Sequence, residues 1–320
     1  MDKLLVSPSP HLHGGASTQR IMLDVIIALT PVSIASVLLF GYRAALMITC
    51  CVLSCVAAEW LFRRLLRRSD TVADLSAAVT GLLLALNMPS GAPLWLAPIG
   101  AAAAIIVVKQ LFGGIGHNFV NPALTARVVL FISFPGLMSR WTVPCALDGV
   151  TGASPLTILK TAADAVTGAT GSGAATLPPL GEMFLGIRGG MLGETCIVAL
   201  LLGFVWLLVR RIISPAVPLT YLAVTGGLFL LTTGSAETTL YQLMSGGLLL
   251  GAVFMATDYA TSPVTSWGKI IFGAGCGLIT FAIRQFGALP EGVSFAIIIM
   301  NILCPHIERL TMPKAFGKQP

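Results

Sequence analysis

The chain has 320 residues, of which 56% are hydrophobic and 10% charged, with a mean hydropathy of +0.90. Soluble domains carry roughly 25% charged residues, so this composition excludes a soluble enzyme and predicts an all-α polytopic membrane protein. A net charge of +6 reflects where basic residues sit around the membrane, and no nucleic acid is expected as a partner.

In chain order, residues 1–20 are polar, with SPSPHLHGG in the middle. They lack the positive, apolar, small-residue order of a cleavable signal, and are expected to form a cytoplasmic segment. A spanning helix needs about 20 apolar residues, fewer where it is broken. About ten such stretches follow on that criterion, at 21–41, 44–62, 75–88, 94–112, 124–138, 192–209, 217–233, 240–255, 270–283 and 293–305. They divide the chain into a first membrane repeat at 21–138, a long polar loop at 139–191, a second membrane repeat at 192–308 and a tail at 309–320.

Short cytoplasmic loops collect Lys and Arg. With the N-terminus inside, the cytoplasmic side holds Lys3, Arg20, Arg63, Arg64, Arg67, Arg68, Lys109, Arg210, Arg211, Lys269, Arg309, Lys314 and Lys318, and the outer side only Arg43, Arg140, Lys160, Arg188 and Arg284. The reverse orientation would put the RRLLRR run outside. Both termini are therefore expected in the cytoplasm, and the 139–191 loop outside a bacterial or archaeal cytoplasmic (inner) membrane.

Six of the cysteines, Cys50, Cys51, Cys55, Cys196, Cys276 and Cys304, fall in or at the ends of spans, and Cys145 lies in the loop. On an apolar helix a thiol serves as a small apolar residue. Cys50, Cys51 and Cys55 are crowded as cluster ligands can be, yet there is no self-contained iron–sulfur motif; no metal site within the chain is expected, with a metal shared with another subunit the alternative for Cys50 or Cys51.

The loop contains ALDGVTGASPLTILK and, about ten residues on, DAVTGAT. Asp148, Thr151, Gly152, Ala153 and Ser154 therefore have a near copy that ends at Thr170. Gly, Ser and Asp favour turns for backbone reasons alone, but a duplicated turn ending both times in a hydroxyl points to chemistry.

Landmarks also recur on a larger scale. Thr80-Gly81-Leu82-Leu83-Leu84-Ala85 resembles Gly246-Gly247-Leu248-Leu249-Leu250-Gly251, and Lys109-Gln110-Leu111-Phe112-Gly113 resembles Arg284-Gln285-Phe286-Gly287. An offset of five spans is odd, so the halves would cross the bilayer in opposite senses as inverted five-helix repeats. The matching breaks are Asn87-Met88-Pro89-Ser90-Gly91 and Ala256-Thr257-Asp258-Tyr259-Ala260-Thr261-Ser262-Pro263. Nonhelical backbone at that depth must be buried in protein or line a wet cavity.

Taken together, SPSPHLH, GGIGHNFVNPALTAR, DGVTGASPL, FMATDYATSP and the closing GKIIFGAGCGLITFAIRQFGALPEGVSFAIIIMNILCP resemble the D subunit of the Rnf electron-transport complex, a family related to the B subunit of the sodium-pumping NADH:quinone reductase. The resemblance covers nearly the whole chain. It implies a ten-helix subunit with one covalent FMN, joined by a phosphoester in the outer loop, and one noncovalent flavin, riboflavin or a second FMN. It further implies the partner subunits A, B, C, E and G, a flavin transferase for maturation, and Na⁺ or H⁺ as the ion moved while electrons pass between ferredoxin and NAD.

By context, with Pro155, Leu156 and then Lys160 following, Ser154 stands where that family usually has the flavin-bearing Thr; by motif alone Thr170 is the acceptor. The resemblance also implies that Asn118 and Asn121 contact the noncovalent flavin. They follow the run Gly113-Gly114-Ile115-Gly116 at the start of a helix, where backbone N–H groups and amides suit polar ligand edges. The same pattern, Asn before Pro, is that of a helix cap, and His117 is expected to be a hydrogen-bonded loop residue. Asp24, Glu59, Glu194 and Asp258 lie at or within span ends, where a buried charge is costly. They are the ion-pathway candidates, with Asp258 foremost because it sits in the second break. Glu59 has a simpler role open to it as an i,i+4 partner of Arg63.

A secondary transporter without a redox cofactor, or a membrane anchor for soluble redox proteins, would leave the duplicated hydroxyl motif unexplained. Ferredoxin and NAD would bind other subunits, since the chain has neither a dinucleotide fingerprint nor a cluster motif.

Overall fold

The structure is a computed structural model that describes residues 17–68, 71–142, 144, 154–166, 177–287 and 289–312. Asp148, Thr151, Gly152, Ala153, Thr170 and Cys145 lie outside the described residues. Among those described there is no strand, and the architecture is helical throughout. In order the helices are α1 (Thr18–Phe40), α2 (Tyr42–Leu65), α3 (Ser76–Leu86), α4 (Leu96–Gln110), α5 (Pro122–Ser133), α6 (Pro135–Met138), α7 (Pro155–Val166) and α8 (Leu180–Leu185). They continue with α9 (Ile197–Val209), α10 (Ala216–Thr233), α11 (Ala236–Met244), α12 (Leu248–Met255), α13 (Ser266–Phe286) and α14 (Val293–Thr311).

Five of these, α1, α2, α10, α13 and α14, are long and apolar enough to cross a membrane, and α11 with α12, bent by 64°, forms a sixth if counted as one broken span. The shorter apolar helices α3, α4, α5 and α9 occupy the remaining expected stretches. Large apolar side chains on the outer faces, such as Leu38 of α1 and Leu231 of α10, are exposed. That is how a lipid-facing surface looks, and a soluble monomer does not expose apolar area on this scale.

Local sequence sets the boundaries. Ser17 caps α1, its hydroxyl accepting from Arg20 N at 3.2 Å, and Gly41 alone, at φ +73°, turns the chain into α2. Thr265 caps α13 by accepting from Gly268 N at 3.1 Å. Two helices loosen at their C-terminal ends: Leu111 N bonds to Ile106 O at 3.0 Å and Ala256 N to Gly251 O at 2.7 Å, both i to i−5 bonds, a π-type widening that is frequent at functional sites.

Each half shows the same order of a short apolar helix, a nonhelical break and two further helices: α3, break, α4, α5 and α12, break, α13, α14. One core joins Leu29 of α1, Leu200 and Leu207 of α9, Phe254 of α12, Phe272 of α13 and Ile297 of α14. A second joins Met47, Cys51 and Cys55 of α2 to Leu84 of α3, Ile105 of α4 and Leu130 of α5. Because α3 feeds both, both of its ends are held by protein. Gly203 of α9 lets α1 come close, since a Cβ there would collide with Ala28 O; small residues at such crossings are how helices pack in lipid.

Two polar neighbourhoods along α3

The first neighbourhood is a cavity of about 430 Å³ along the N-terminal part of α3, within the 300–1,000 Å³ range of small-molecule sites. Ser76, Val79, Thr80 and Leu83 of α3 form one wall, and Asn118, Asn121, Asp258, Tyr259, Phe254 and Lys109 lie around it. Thus Asn118, Asn121 and Asp258, picked from opposite halves of the sequence, meet at one cavity.

Glycine builds the entry to this site. Gly113, Gly114 and Gly116 adopt φ of +121°, +103° and +80°, which side chains with a Cβ rarely tolerate. The N–H groups of Gly113 and Gly114 bond back to Gln110 O (3.2 Å) and Lys109 O (3.0 Å), closing the end of α4. These two N–H groups are therefore engaged within the chain, while Ile115 and Gly116 of the same run line the cavity. His117 is the loop residue expected, its N–H bonding Gly114 O at 3.3 Å.

Asn121 is indeed a cap: its Oδ1 accepts from Ala123 N (3.1 Å) and Leu124 N (3.2 Å). Its Nδ2 donates to Met255 O at 3.3 Å, tying α5 to the end of α12. Asn121 therefore holds the cavity wall with its polar atoms already engaged. Asn118, whose Nδ2 donates to Val120 O at 3.2 Å, keeps more capacity to face a ligand. Asp258 lines the cavity, and its carboxylate also holds the turn, Oδ1 accepting from Ala260 N (3.4 Å) and Oδ2 from Thr261 Oγ1 (3.3 Å).

Glu59 proves to be more than an i,i+4 partner of Arg63. The Arg63 contact is long, 3.8 Å, and the carboxylate is fully buried. Lys109 Nζ at 2.8 Å, Gln110 Nε2 at 2.7 Å and Thr71 Oγ1 at 2.8 Å all donate to it. Lys109 also donates to Ser76 Oγ at 2.5 Å, so this network props the start of α3 against the end of α4 beside the cavity. Asp24, buried on α1, takes a two-pronged bond from Arg210, at 3.2 Å and 3.1 Å.

The second neighbourhood lies at the other end of α3. The 187–196 connection is laid against the break: Gly193 N bonds Leu86 O at 2.7 Å and Leu192 N bonds Met88 O at 3.1 Å. This sets Glu194 in a small cavity, about 20 Å³, that also touches Ser154, Arg188, Gly246 and Glu291. Arg127 of α5 reaches in, bonding Asn87 Oδ1 at 3.0 Å and pairing with Glu291. Arg284 of α13 closes the α11–α12 corner through Gln242 O (2.5 Å) and Ser245 O (3.0 Å).

Ser154 is buried at the N-terminal edge of α7, its Oγ accepting from Thr157 N at 3.3 Å. Leu156 packs over Gly246, and Lys160 Nζ donates to Gly287 O. The Pro155, Leu156 and Lys160 context thus anchors this part of the loop on the second half of the molecule.

Sequence reasoning named Asp24, Glu59, Glu194 and Asp258 as the buried charges but missed their surroundings, Arg127, Glu291, Lys109 and Asn87. Arg127 carried a usable signal, a charge inside an apolar stretch. Glu291, in a loop, carried none. Among the described residues no group of three His, Cys, Asp or Glu is placed to hold a metal.

Comparison with known proteins places this arrangement. Residues 5–317 match the model of the NQR2, RnfD, RnfE family. The D subunit of the Na(+)-translocating ferredoxin:NAD(+) oxidoreductase complex of Acetobacterium woodii is 45% identical over 98% of this chain and 95% of its own length. The D subunit of an ion-translocating oxidoreductase complex of Stutzerimonas stutzeri is 41% identical, covering 95% of this chain and 93% of its own. The D subunit of the proton-translocating ferredoxin:NAD(+) oxidoreductase complex of Clostridium ljungdahlii is 37% identical over 98% and 96%.

Proposed function

Because the chain belongs to the NQR2, RnfD, RnfE family, we propose that it is the flavin-carrying membrane subunit of an ion-translocating ferredoxin:NAD⁺ oxidoreductase complex. In this reading α3, α4, α5 and α9 complete ten spans, the halves are inverted five-helix repeats, and the 139–191 loop faces outside. The complex lies in the cytoplasmic membrane with both termini of this chain inside and the subunits A, B, C, E and G as partners.

The observation that carries the reading is the pair of polar neighbourhoods at the two ends of one short helix. The larger cavity has the volume and the mixed lining for an isoalloxazine, so a riboflavin or a second FMN is assigned there, faced by Asn118 and walled by Asn121. At the other end, Ser154 at the start of α7, with Arg188 beside the same small cavity, suits a phosphoester: a helix N-terminus and a guanidinium both favour a phosphate. A cavity of about 20 Å³ has no room for the ring, which would lie beyond it. Bound there, the flavins supply reversible electron transfer. The residues of this chain position them, keep water from them and place titratable groups next to them. Asp258 and the buried acids are the candidates for coupling this to Na⁺ or H⁺.

The rival, an inverted-repeat secondary transporter without a redox cofactor, is favoured by the broken helices and the cavity alone. An unstained denaturing gel under ultraviolet light separates the two. The polypeptide fluoresces if a flavin is covalently bound, and a dark band sinks the proposal. Ser154→Ala should abolish the fluorescence and Thr170→Ala leave it; the opposite result moves the attachment to Thr170.

A further inference from the structure

Glu194 and Glu291 approach one another from separate loops, before α9 and before α14, around Gly247. The Gly247 N–H donates to Glu291 Oε1 at 2.9 Å. A Cβ at Gly247 would stand 2.9 Å from that oxygen, 3.3 Å from Arg127 Nη1 and 3.7 Å from Glu194 Oε2. The two carboxylates and the guanidinium thus flank a single spot kept clear of side chain.

Their bonding is unequal. Glu291 has both oxygens satisfied, one by Gly247 N and the other by Arg127. Glu194 Oε1 accepts from Met191 N at 3.0 Å, but Glu194 Oε2 is buried and has no hydrogen-bond partner among the described residues. Arg188, the nearest cation on its own loop, spends Nη2 on the Glu194 main-chain oxygen at 2.6 Å and Nη1 on Met183 Sδ at 3.5 Å. Arg284, facing the pair from α13, is bonded to carbonyls, and among the described residues Cys196, two residues on from Glu194, is a further titratable group on this loop. Leaving an ionised oxygen buried without a donor costs more than a neutral one, and two carboxylates in one site do not readily both ionise.

We propose that Glu194 is a proton-binding site: its Oε2 carries one exchangeable proton, beside Ser154, while Glu291 stays ionised against Arg127. As a titratable site this stands on its own geometry; as part of energy coupling it rests on the function proposed above. Burial pushes Glu194 up to about 7 and Glu291 adds to the push, opposed in part by Arg127, Arg188 and the Met191 N–H. Burial acts on Glu291 in the same sense, but Arg127, the Gly247 N–H and Arg284 outweigh it and hold it below the usual carboxylate range. The proton therefore exchanges near neutral pH. By the same electrostatics, a negative charge placed near Ser154 tightens its binding.

The test is infrared spectroscopy of the whole complex in lipid as the pH is raised from about 5 to about 9, either side of the value to which this carboxyl is pushed. The wild type should lose a carboxylic-acid carbonyl band with a midpoint of about 7. Glu194→Gln should lack that component, and Glu291→Gln should move the midpoint to lower pH, because the repulsion is gone and Arg127 is released. If Glu194→Gln does not assemble, Glu194→Asp should keep the band at an altered midpoint. A wild type without such a band, a band indifferent to position 194, or a midpoint indifferent to Glu291→Gln each overturns the proposal. Failure here with a fluorescent gel band removes only the proton site, and a dark gel with the infrared result intact removes only the flavin reading.

Discussion

Glu59 of α2 and Lys109 of α4 meet at 2.8 Å with both side chains almost completely buried, at 0% and 3% exposure. Removing one member of such a pair strands the other charge, typically at a cost of about 3–5 kcal/mol. Glu59→Gln should therefore lower the thermal stability of the detergent-solubilised complex markedly. The double change Glu59→Gln with Lys109→Met should recover part of the loss, since it removes both charges together. Additive losses in the double-mutant cycle would show that the two residues are not coupled.

The larger cavity offers a separation between its two asparagines. Asn118→Ala should lower the acid-extractable, noncovalent flavin of the purified complex with little change in stability. Asn121→Ala should cost about 1 kcal/mol through the lost helix cap, with flavin falling as a consequence. Val79→Trp, which fills the cavity from α3, should empty the noncovalent site and leave the in-gel fluorescence untouched. If extractable flavin survives Val79→Trp at parental levels, the cavity is not its site.

Sidedness rests on the distribution of basic residues. Gly171→Cys in the long loop should react with an impermeant thiol reagent applied to intact cells, and Arg67→Cys, after α2, should not. Labelling in the opposite sense would place the loop in the cytoplasm.

Asp258 both turns the chain and faces the cavity, and Asn can do the first but cannot carry the charge. Asp258→Asn in the full complex should keep its flavins and lose ion movement per electron. An unchanged ion-to-electron ratio would leave Asp258 with its capping role alone. Running this with Na⁺ and with H⁺ gradients also addresses the ion, because relatives named for sodium and for proton translocation both resemble this chain.

Much of this was legible beforehand because it depends on local composition. Apolar length located every long helix, Asn before Pro located the α5 cap, and the polar turn FMATDYATSP located the second break. What was not legible depends on contacts between distant segments. Nothing near Glu59 in sequence announces Lys109, fifty residues on, and Glu291 reads as an ordinary loop acid until Arg127, 164 positions away, is seen against it. The π-type ends of α4 and α12 were equally hidden, since they follow from packing and leave no residue signature. The short helix α7 was masked by the Gly and Thr around it, which read as loop.

Asn87, at the end of α3, links the two neighbourhoods through its hydrogen bonds. Its Oδ1 accepts from Arg127, its Nδ2 donates to Leu83 O at 2.7 Å and touches Met255 Sδ at 3.7 Å, and the main-chain oxygen of Met255 is held by Asn121. One amide thus bonds toward both neighbourhoods. Linkage between binding sites is reciprocal, so a ligand at one end that acts on the other through this side chain must be acted on from there by the same factor. Through Asn87 the two ends of α3 are joined by one short run of hydrogen bonds, a contact path that neither end makes on its own.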